Sequence, residues 1–249
     1  MPENLQRRLA AEGIATAFLL AAVVGSGIMG ERLAAGNMAI ALLANTIATG
    51  AALIALILTF GPISGAHMNP AVSAAEAWLG RIRRRDAALY AFVQICGAFS
   101  GVIVAHVMFQ EPLLSASTHA RSGFAQMFSE FVATFGLLAV IQGCARRSPA
   151  AVPFAVGAYI MAAYWFTAST SFANPAVTLA RAASNTFAGI RPADVPGFLA
   201  AQALGAAAAT ALFHWLDPPA AQSAGTERAA SEVKDDRRTH VQRAVPLHR

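Results

Sequence analysis

The sequence predicts an all-α integral membrane protein with six transmembrane helices, two re-entrant half-helices and an inverted internal repeat. Three observations predict this fold: a low content of charge, six apolar runs of spanning length, and a tripeptide Asn-Pro-Ala that occurs twice. Of 249 residues, 56% are hydrophobic and 12% are charged, whereas soluble domains have about 25% charged residues. The composition therefore excludes an ordinary soluble domain.

The apolar runs give the number of spans. Met38–Phe60 contains no charged residue and as a helix would be about 34 Å long, against a hydrocarbon core of about 30 Å. Five further runs have similar length, two of them with one carboxylate: Leu9–Met29, Ala87–Phe109, Phe124–Gly143, Ala151–Ala168 and Val195–Leu216. The first is too long for the apolar part of a cleaved signal peptide and is predicted to be the first span.

The positive charge indicates topology rather than a nucleic-acid partner. The net charge is +5, but the arginines flank the spans, at the N-terminus and on two connections: Arg7, Arg8, Arg81, Arg83, Arg84, Arg85, Arg146 and Arg147. The positive-inside rule makes that face cytoplasmic. We therefore expect a multi-pass protein of the cell inner (plasma) membrane, surrounded by the lipid bilayer, with both termini cytoplasmic and no nucleic-acid partner.

The two tripeptides, Asn69-Pro70-Ala71 and Asn174-Pro175-Ala176, predict helix starts within the membrane. Asn is a good N-cap and Pro is favoured at the first helical position. A helix that begins inside the hydrocarbon leaves backbone N–H groups that need water, protein or a solute as partner. Two such starts, one in each half of the chain, indicate an aqueous path.

An internal repeat relates the two halves. Glu12–Thr16 matches Glu130–Thr134, the tripeptides match each other, and Gln94–Ala98 matches Gln202–Ala206. Each half holds three spans, an odd number, so the second half enters the membrane from the opposite side. The predicted organisation is a cytoplasmic N-terminus (1–8), a first repeat (9–109), a connecting loop (110–123), a second repeat (124–217) and a disordered cytoplasmic tail (218–249).

The half-helices predict a mechanism. From Asn69 to Leu79 a helix would be about 16 Å long, half of the core, so the two N-termini would meet near the midplane. Their dipoles place partial positive charge there, which deters cations and hydronium. The amides of Asn69 and Asn174 can donate to a passing oxygen. We expect passive passage of small neutral, hydroxyl-bearing solutes.

These motifs resemble those of the aquaporin (major intrinsic protein) family. The residues that carry the resemblance are Ser64–Val72, the second Asn-Pro-Ala, and the repeated Glu-x-x-x-Thr and Gln-x-x-Gly-Ala. The resemblance covers about residues 9–217. It implies six spanning helices plus two half-helices, one pore within each subunit, a homotetramer, and no cofactor or metal.

The resemblance also implies a selectivity filter. By spacing from the two Asn residues, its four positions fall at Thr49, Ala162, Ser171 and Val177. Water-selective members usually have an aromatic residue, a His, a small residue and an Arg there, and glycerol-conducting members keep the Arg. Here Val177 replaces the Arg, which removes a charged donor, so the filter is expected to be wider and less polar.

This combination resembles the bacterial aquaglyceroporins associated with arsenical resistance. Arsenite at neutral pH is the uncharged As(OH)₃, which is similar to a small polyol. The resemblance implies a channel for arsenite, related neutral metalloid or methylated arsenic species, and glycerol-like polyols, with water also a candidate. An ordinary water or glycerol facilitator is the alternative.

Five further residues are predicted to support the pore. Glu12 and Glu130 are expected to accept hydrogen bonds from the loops before the half-helices, although intramembrane acids can also relay protons. His67 is expected to line the pore or brace its loop, and Phe172 to fill space beside the filter. Arg181 either replaces the missing Arg or faces the outer vestibule.

Three other function classes are alternatives to a channel. A secondary carrier also fits an inverted repeat with broken helices, but no carboxylate adjoins Asn69 or Asn174 in the sequence. An enzyme is disfavoured because no catalytic or metal-ligating motif lies near the pore motifs. A non-conducting scaffold requires a blocked pore.

Overall fold

Six long helices and two short ones make up the part of the chain that the computed structural model describes, residues 5–216. In chain order they are α1 (Leu5–Leu33), α2 (Met38–Ser64), α3 (Pro70–Trp78), α4 (Arg84–Phe109), α5 (Phe124–Arg147), α6 (Val152–Phe166), α7 (Pro175–Arg181) and α8 (Val195–Leu216). Short 3₁₀ turns precede α6 and α8. The predicted tail, 218–249, lies outside the described residues.

Six of these helices, two of them counted with their preceding 3₁₀ turns, are long and apolar enough to cross a membrane. This confirms the predicted number of spans within residues 5–216, and their order agrees with the apolar runs. The bounds differ because polar ends continue the helices: α1 runs on to Leu33, and α5 includes the basic pair Arg146 and Arg147. Cationic side chains in a last helical turn complement its dipole.

The two short helices begin where the sequence predicts. α3 has Asn69 as its N-cap and Pro70 as its first residue, and α7 has Asn174 and Pro175 in the same roles. They contain nine and seven residues, about 13 Å and 10 Å of helix. α3 ends at Trp78, one residue before the predicted Leu79, and α7 ends at Arg181.

The alternation of the spans sets the direction of the half-helices. The loop before α3 follows α2, which ends on the side where α1 begins, here called the N-terminal face. The loop before α7 follows α6, which ends on the opposite face. The chain therefore enters the middle of the protein once from each face, as an inverted repeat requires.

Small residues allow the long helices to pack closely around the half-helices. α1 packs against α2 and α4, α2 against α6, and α5 against α6. A Cβ atom at Gly97 would overlap the Gly13 carbonyl oxygen, and one at Gly205 would lie 2.5 Å from the Phe131 carbonyl oxygen. Glycine at these positions lets the backbones approach, which is the usual mode of helix association in membranes.

The described core belongs to the first of two units of the chain, which ends at Phe213. Within the first unit, one buried apolar cluster runs through α1, α4, α5 and both half-helices. It surrounds a row of buried polar residues contributed by the repeated motifs. Those polar residues form the candidate site.

Candidate channel

The two Asn residues join the re-entrant loops to each other. Asn69 Nδ2 donates to the Ala173 carbonyl oxygen at 2.8 Å, and Asn174 Nδ2 donates to the Met68 carbonyl oxygen at 2.7 Å. Their Oδ1 atoms cap the helices, accepting from Ala71 N and Ala176 N. Because each Nδ2 carries two hydrogens and one is used between the loops, the second remains to donate to a solute.

The loops hold an unusual backbone conformation that repeats in both halves. Ala66 and Met68 have φ of 47° and 48°, and Ser171 and Ala173, each 105 positions later, both have φ of 49°. Non-glycine residues in this left-handed region cost about 1 kcal/mol or more each and persist only where the surroundings hold them.

Glu12 and Glu130 provide that support. Glu12 accepts from His67 N at 2.9 Å and Met68 N at 2.7 Å, and Glu130 accepts from Phe172 N at 2.8 Å and Ala173 N at 2.9 Å. Both carboxylates are fully buried. These are the loop contacts expected from the sequence for a structural role.

One glutamine side chain in each half makes equivalent contacts that complete this support. Gln94 Nε2 donates to Glu12 at 2.7 Å and to Ser73 Oγ at 3.1 Å. Gln202 Nε2 donates to Glu130 at 2.6 Å and to Thr178 Oγ1 at 2.8 Å. The sequence showed the two glutamines as a repeated motif, but not that they connect the carboxylate of one helix to a hydroxyl of the half-helix.

One cavity of about 290 Å³ passes the Asn pair and reaches towards both faces. Its N-terminal-face end includes Glu76 and Arg81, which form an ion pair at 2.8 Å. Its opposite end includes Tyr164, Ser171 and Arg181. A cavity lined by residues from both ends and from the middle is the path that the repeated motifs predicted.

The cavity wall is amphipathic. Side chains from the long helices supply its apolar side: Leu19, Val23, Leu53, Ile57, Leu137, Ile141, Val156 and Ile160. The re-entrant loops and half-helices bring His67, Asn69, Ser171 and Asn174 to it. A solute with several hydroxyl groups on a small apolar frame can therefore exchange water for these polar groups while its other side stays against aliphatic carbon.

Three of the four predicted filter residues line the cavity, and the fourth does not. Thr49, Ser171 and Val177 line the cavity and are each at most 5% exposed. Ala162 is exposed and does not line it, so its predicted place in the filter is wrong. The face of α6 that lines the cavity follows the four-residue helical period and carries Val156, Ile160 and Tyr164.

Tyr164 was missed by the spacing from Asn174. Its hydroxyl donates to Thr49 Oγ1 at 3.3 Å, so one wall of the opposite-face end is a paired Tyr and Thr. The side chain of Ser171 is buried in the same region, and its Oγ has no protein partner among the described residues. The helical period Val152, Val156, Ile160, Tyr164 was the signal in the sequence that could have found this position.

Arg181 lies in the cavity wall, 2% exposed, one turn beyond Val177. Its Nε donates to the Ala188 carbonyl oxygen, and its guanidinium lies over the Phe172 ring, 3.4 Å from the centroid. Phe172 thus contacts a guanidinium in addition to filling space. Among the described residues, Arg181 has no carboxylate partner within 4 Å.

A second arginine, which no sequence pattern indicated, approaches the Phe172 ring. Arg121 comes from the loop between α4 and α5 and lies over Phe172 at 5.0 Å. Its side chain donates to the carbonyl oxygens of Gly189 at 2.8 Å and Ser169 at 3.0 Å. Burial lowers the pKa of Arg121 to about 10. Its neighbours are 48 and 68 positions away, so no local pattern marked it.

His67 both lines the cavity and braces its loop. Its Nδ1 lies 3.0 Å from Ser73 Oγ, and its ring packs edge-on against Tyr90 with centroids 5.3 Å apart. In the other half, Phe172 packs edge-on against Phe198, also at 5.3 Å. The two positions are equivalent in the repeat, but one is an imidazole and the other a phenyl ring.

Comparison with known proteins agrees with this geometry. The family model described as major intrinsic protein matches residues 2–168. Aquaglyceroporin AqpS of Rhizobium meliloti (strain 1021) is 57% identical over 87% of this chain and 93% of its own length. Aquaporin NIP1-4 of Oryza sativa subsp. japonica is 35% identical over 68% of this chain and 63% of its own length.

Among solved structures, the aquaglyceroporin from Plasmodium falciparum superposes with a TM-score of 0.67 at 21% identity. The match covers 84% of this chain and 96% of that one, which shows the shared fold. These matches agree with the paired Asn residues, the inverted half-helices and the cavity that passes the Asn pair. The chain belongs to the major intrinsic protein family and is a multi-pass membrane channel for small neutral solutes, not an enzyme.

Proposed function

We propose that this channel passes arsenite as As(OH)₃, related neutral metalloid or methylated arsenic species, and glycerol-like polyols, along with water. The observation that carries the proposal is the aliphatic Val177 in the wall of the cavity that Ser171 and Thr49 also line. A valine there leaves more room and fewer donors than an arginine would. Small hydroxylated solutes larger than water then fit the opening.

The amphipathic wall supports a polyol-like solute over water alone. A chain of single-file waters gains little from aliphatic carbon, whereas a small solute with hydroxyls on one edge gains from both sides of the cavity. The name of the relative from Rhizobium meliloti, an aquaglyceroporin, agrees with this solute class.

The buried carboxylates favour a passive channel over a proton-coupled carrier. Glu12 and Glu130 each accept at least three hydrogen bonds from the protein, so they have little capacity to bind a proton or an ion during transport. Among the described residues, the carboxylate that lines the cavity is Glu76, and it is paired with Arg81.

The test is solute entry into proteoliposomes that contain the purified full chain. Arsenite and glycerol should enter faster than into protein-free vesicles, with rates that rise linearly with concentration and do not respond to a proton gradient. Entry no faster than in protein-free vesicles would exclude the proposal. Saturable, proton-coupled entry would instead identify a carrier, and water passage without arsenite or glycerol would identify an ordinary water channel.

We further propose a homotetramer in the inner membrane, with both termini cytoplasmic and the repeats at 9–109 and 124–217. Large apolar side chains are exposed on the outer surfaces of several spans, for example Phe18, Phe92 and Phe154, as a lipid- or subunit-facing surface requires. The equivalent contacts of Glu12 and Glu130 support the repeat boundaries. Mass measurement in detergent and cysteine-accessibility labelling of the termini test these points.

A further inference from the structure

We infer that Arg181, one helical turn beyond Val177, supplies a cation barrier at this end of the cavity in addition to the helix dipoles at the Asn pair. Val177 would then set the width of the opening, and Arg181 would supply the charge that repels cations. The inference concerns ions and holds whichever neutral solute the channel passes, so it does not depend on arsenite as the substrate.

Arg181 shares one face of α7 with Val177. Val177 and Arg181 are four residues apart, which places them on the same face of a helix. Side chains in an α-helix lean towards its N-terminus, and the N-terminus of α7 lies beside Asn174 in the middle of the protein. Arg181 therefore leans back towards Val177, and both residues line the same cavity.

Contacts with the protein hold the Arg181 guanidinium in place. The Phe172 ring lies against it at 3.4 Å from the centroid, and the Ala188 carbonyl oxygen accepts from its Nε. Phe172 is itself fixed by the edge of Phe198 and by the bond from its N–H to Glu130. Two Nη atoms remain, and among the described residues no protein group accepts from them. They are free to donate to a solute oxygen.

The positive charge at this end of the cavity comes from two arginine side chains. Arg181 and Arg121 share the Phe172 ring. Neither guanidinium takes part in the ion pairs of the described residues, and the carboxylate of Asp194 contacts Arg121 through the backbone N–H. Glu130, the buried acid of this half, has both oxygens occupied by Phe172 N, Ala173 N and Gln202 Nε2. A guanidinium stays protonated, and in a low-dielectric wall its field acts on a passing cation with little screening. With two arginines against one buried carboxylate, Glu130, this end of the cavity is positive although Val177 is neutral.

The experiment measures cation leak and solute flux in the same proteoliposomes. Vesicles loaded with a pH-sensitive dye receive an inside-negative potential from a potassium gradient and valinomycin, and proton entry is recorded; glycerol entry is recorded in parallel. The variants are Arg181→Leu, Arg181→Gln and Phe172→Leu. The matched control is Arg32→Leu, which removes an exposed arginine that pairs with Glu111 and does not line the cavity.

We expect proton entry to rise at least about tenfold in Arg181→Leu and Arg181→Gln, with glycerol entry retained. Phe172→Leu keeps the charge but frees it, so its leak should fall between those of the wild type and Arg181→Leu. Adding Val177→Arg to Arg181→Leu should restore the barrier and reduce glycerol entry. Arg181→Gln keeps an amide that can donate to the Ala188 carbonyl oxygen. Its proton leak can therefore be measured even if Arg181→Leu does not assemble. Wild-type proton tightness in glycerol-conducting Arg181 variants, or an equal leak in Arg32→Leu, would overturn the inference.

Discussion

Asn69 and Asn174 are bonded into each other's loops: the amide of Asn69 reaches the carbonyl before Asn174, and the amide of Asn174 reaches the carbonyl before Asn69. Each residue therefore caps its own half-helix with Oδ1 and ties the opposite half with Nδ2. The two halves of the repeat are fixed to one another at the point where a solute passes. This explains why the tripeptide is needed twice.

Replacing Asn174 separates these two roles. In Asn174→Asp a carboxylate oxygen still caps α7 but cannot donate to the Met68 carbonyl oxygen, whereas Asn174→Ala loses both bonds. An unsatisfied buried carbonyl costs about 1–3 kcal/mol, and a lost cap costs about 1 kcal/mol more. We expect both variants to have a lower apparent Tm in detergent, with alanine the lower. An aspartate variant with wild-type Tm and glycerol flux would show that the bond between the loops is dispensable.

Removing the charge of either buried acid should loosen its loop. Glu130→Gln places an NH₂ group against Phe172 N or Ala173 N, so one acceptor is lost where two left-handed residues need it. Bonds to a charged acceptor contribute about 1.5–3 kcal/mol each, and we expect the apparent Tm to fall by about 5 °C or more.

Glu12→Gln should behave as Glu130→Gln does, because its contacts are equivalent. The exposed Glu31 provides the control, and Glu31→Gln should leave the Tm within about 1 °C of wild type. If Glu130→Gln and Glu31→Gln melted together, the carboxylate would not be supporting the loop.

A matched pair on α6 tests which face lines the cavity. Ile160→Phe adds a ring to the cavity wall, and Ala162→Phe adds the same ring to an exposed position. We expect glycerol entry to fall roughly tenfold in Ile160→Phe and to stay near wild type in Ala162→Phe, once equal reconstitution and oligomeric state are verified. Strong inhibition by Ala162→Phe alone would restore the position assigned from spacing.

The sequence was sufficient for features that depend on local pattern. Apolar run length gave the six spans, Asn-Pro gave the half-helix starts, and the repeat of Glu12 at Glu130 indicated a shared structural role. These follow because spanning length, capping and internal symmetry are written in consecutive residues. The features missed depend on contacts between distant segments.

Ala162 and Arg121 illustrate the limit. Counting back from Asn174 assumed a fixed length for the loop before it, but the cavity face of α6 is set by helix rotation and carries Ile160 and Tyr164. Arg121 reaches the site from a connecting loop whose course no periodicity predicts. The stacking of Arg181 on Phe172 likewise required three-dimensional structure, because spacing alone left two directions open for that side chain.

The most direct test of the central claim compares wild type with Val177→Arg for three solutes in one preparation of vesicles. If Val177 sets the width of the opening, the added arginine narrows it and lowers arsenite and glycerol entry about tenfold or more relative to water entry. An equal loss for all three solutes would indicate misfolding rather than filtering. Unchanged arsenite and glycerol entry would show that Val177 does not set the width of the channel.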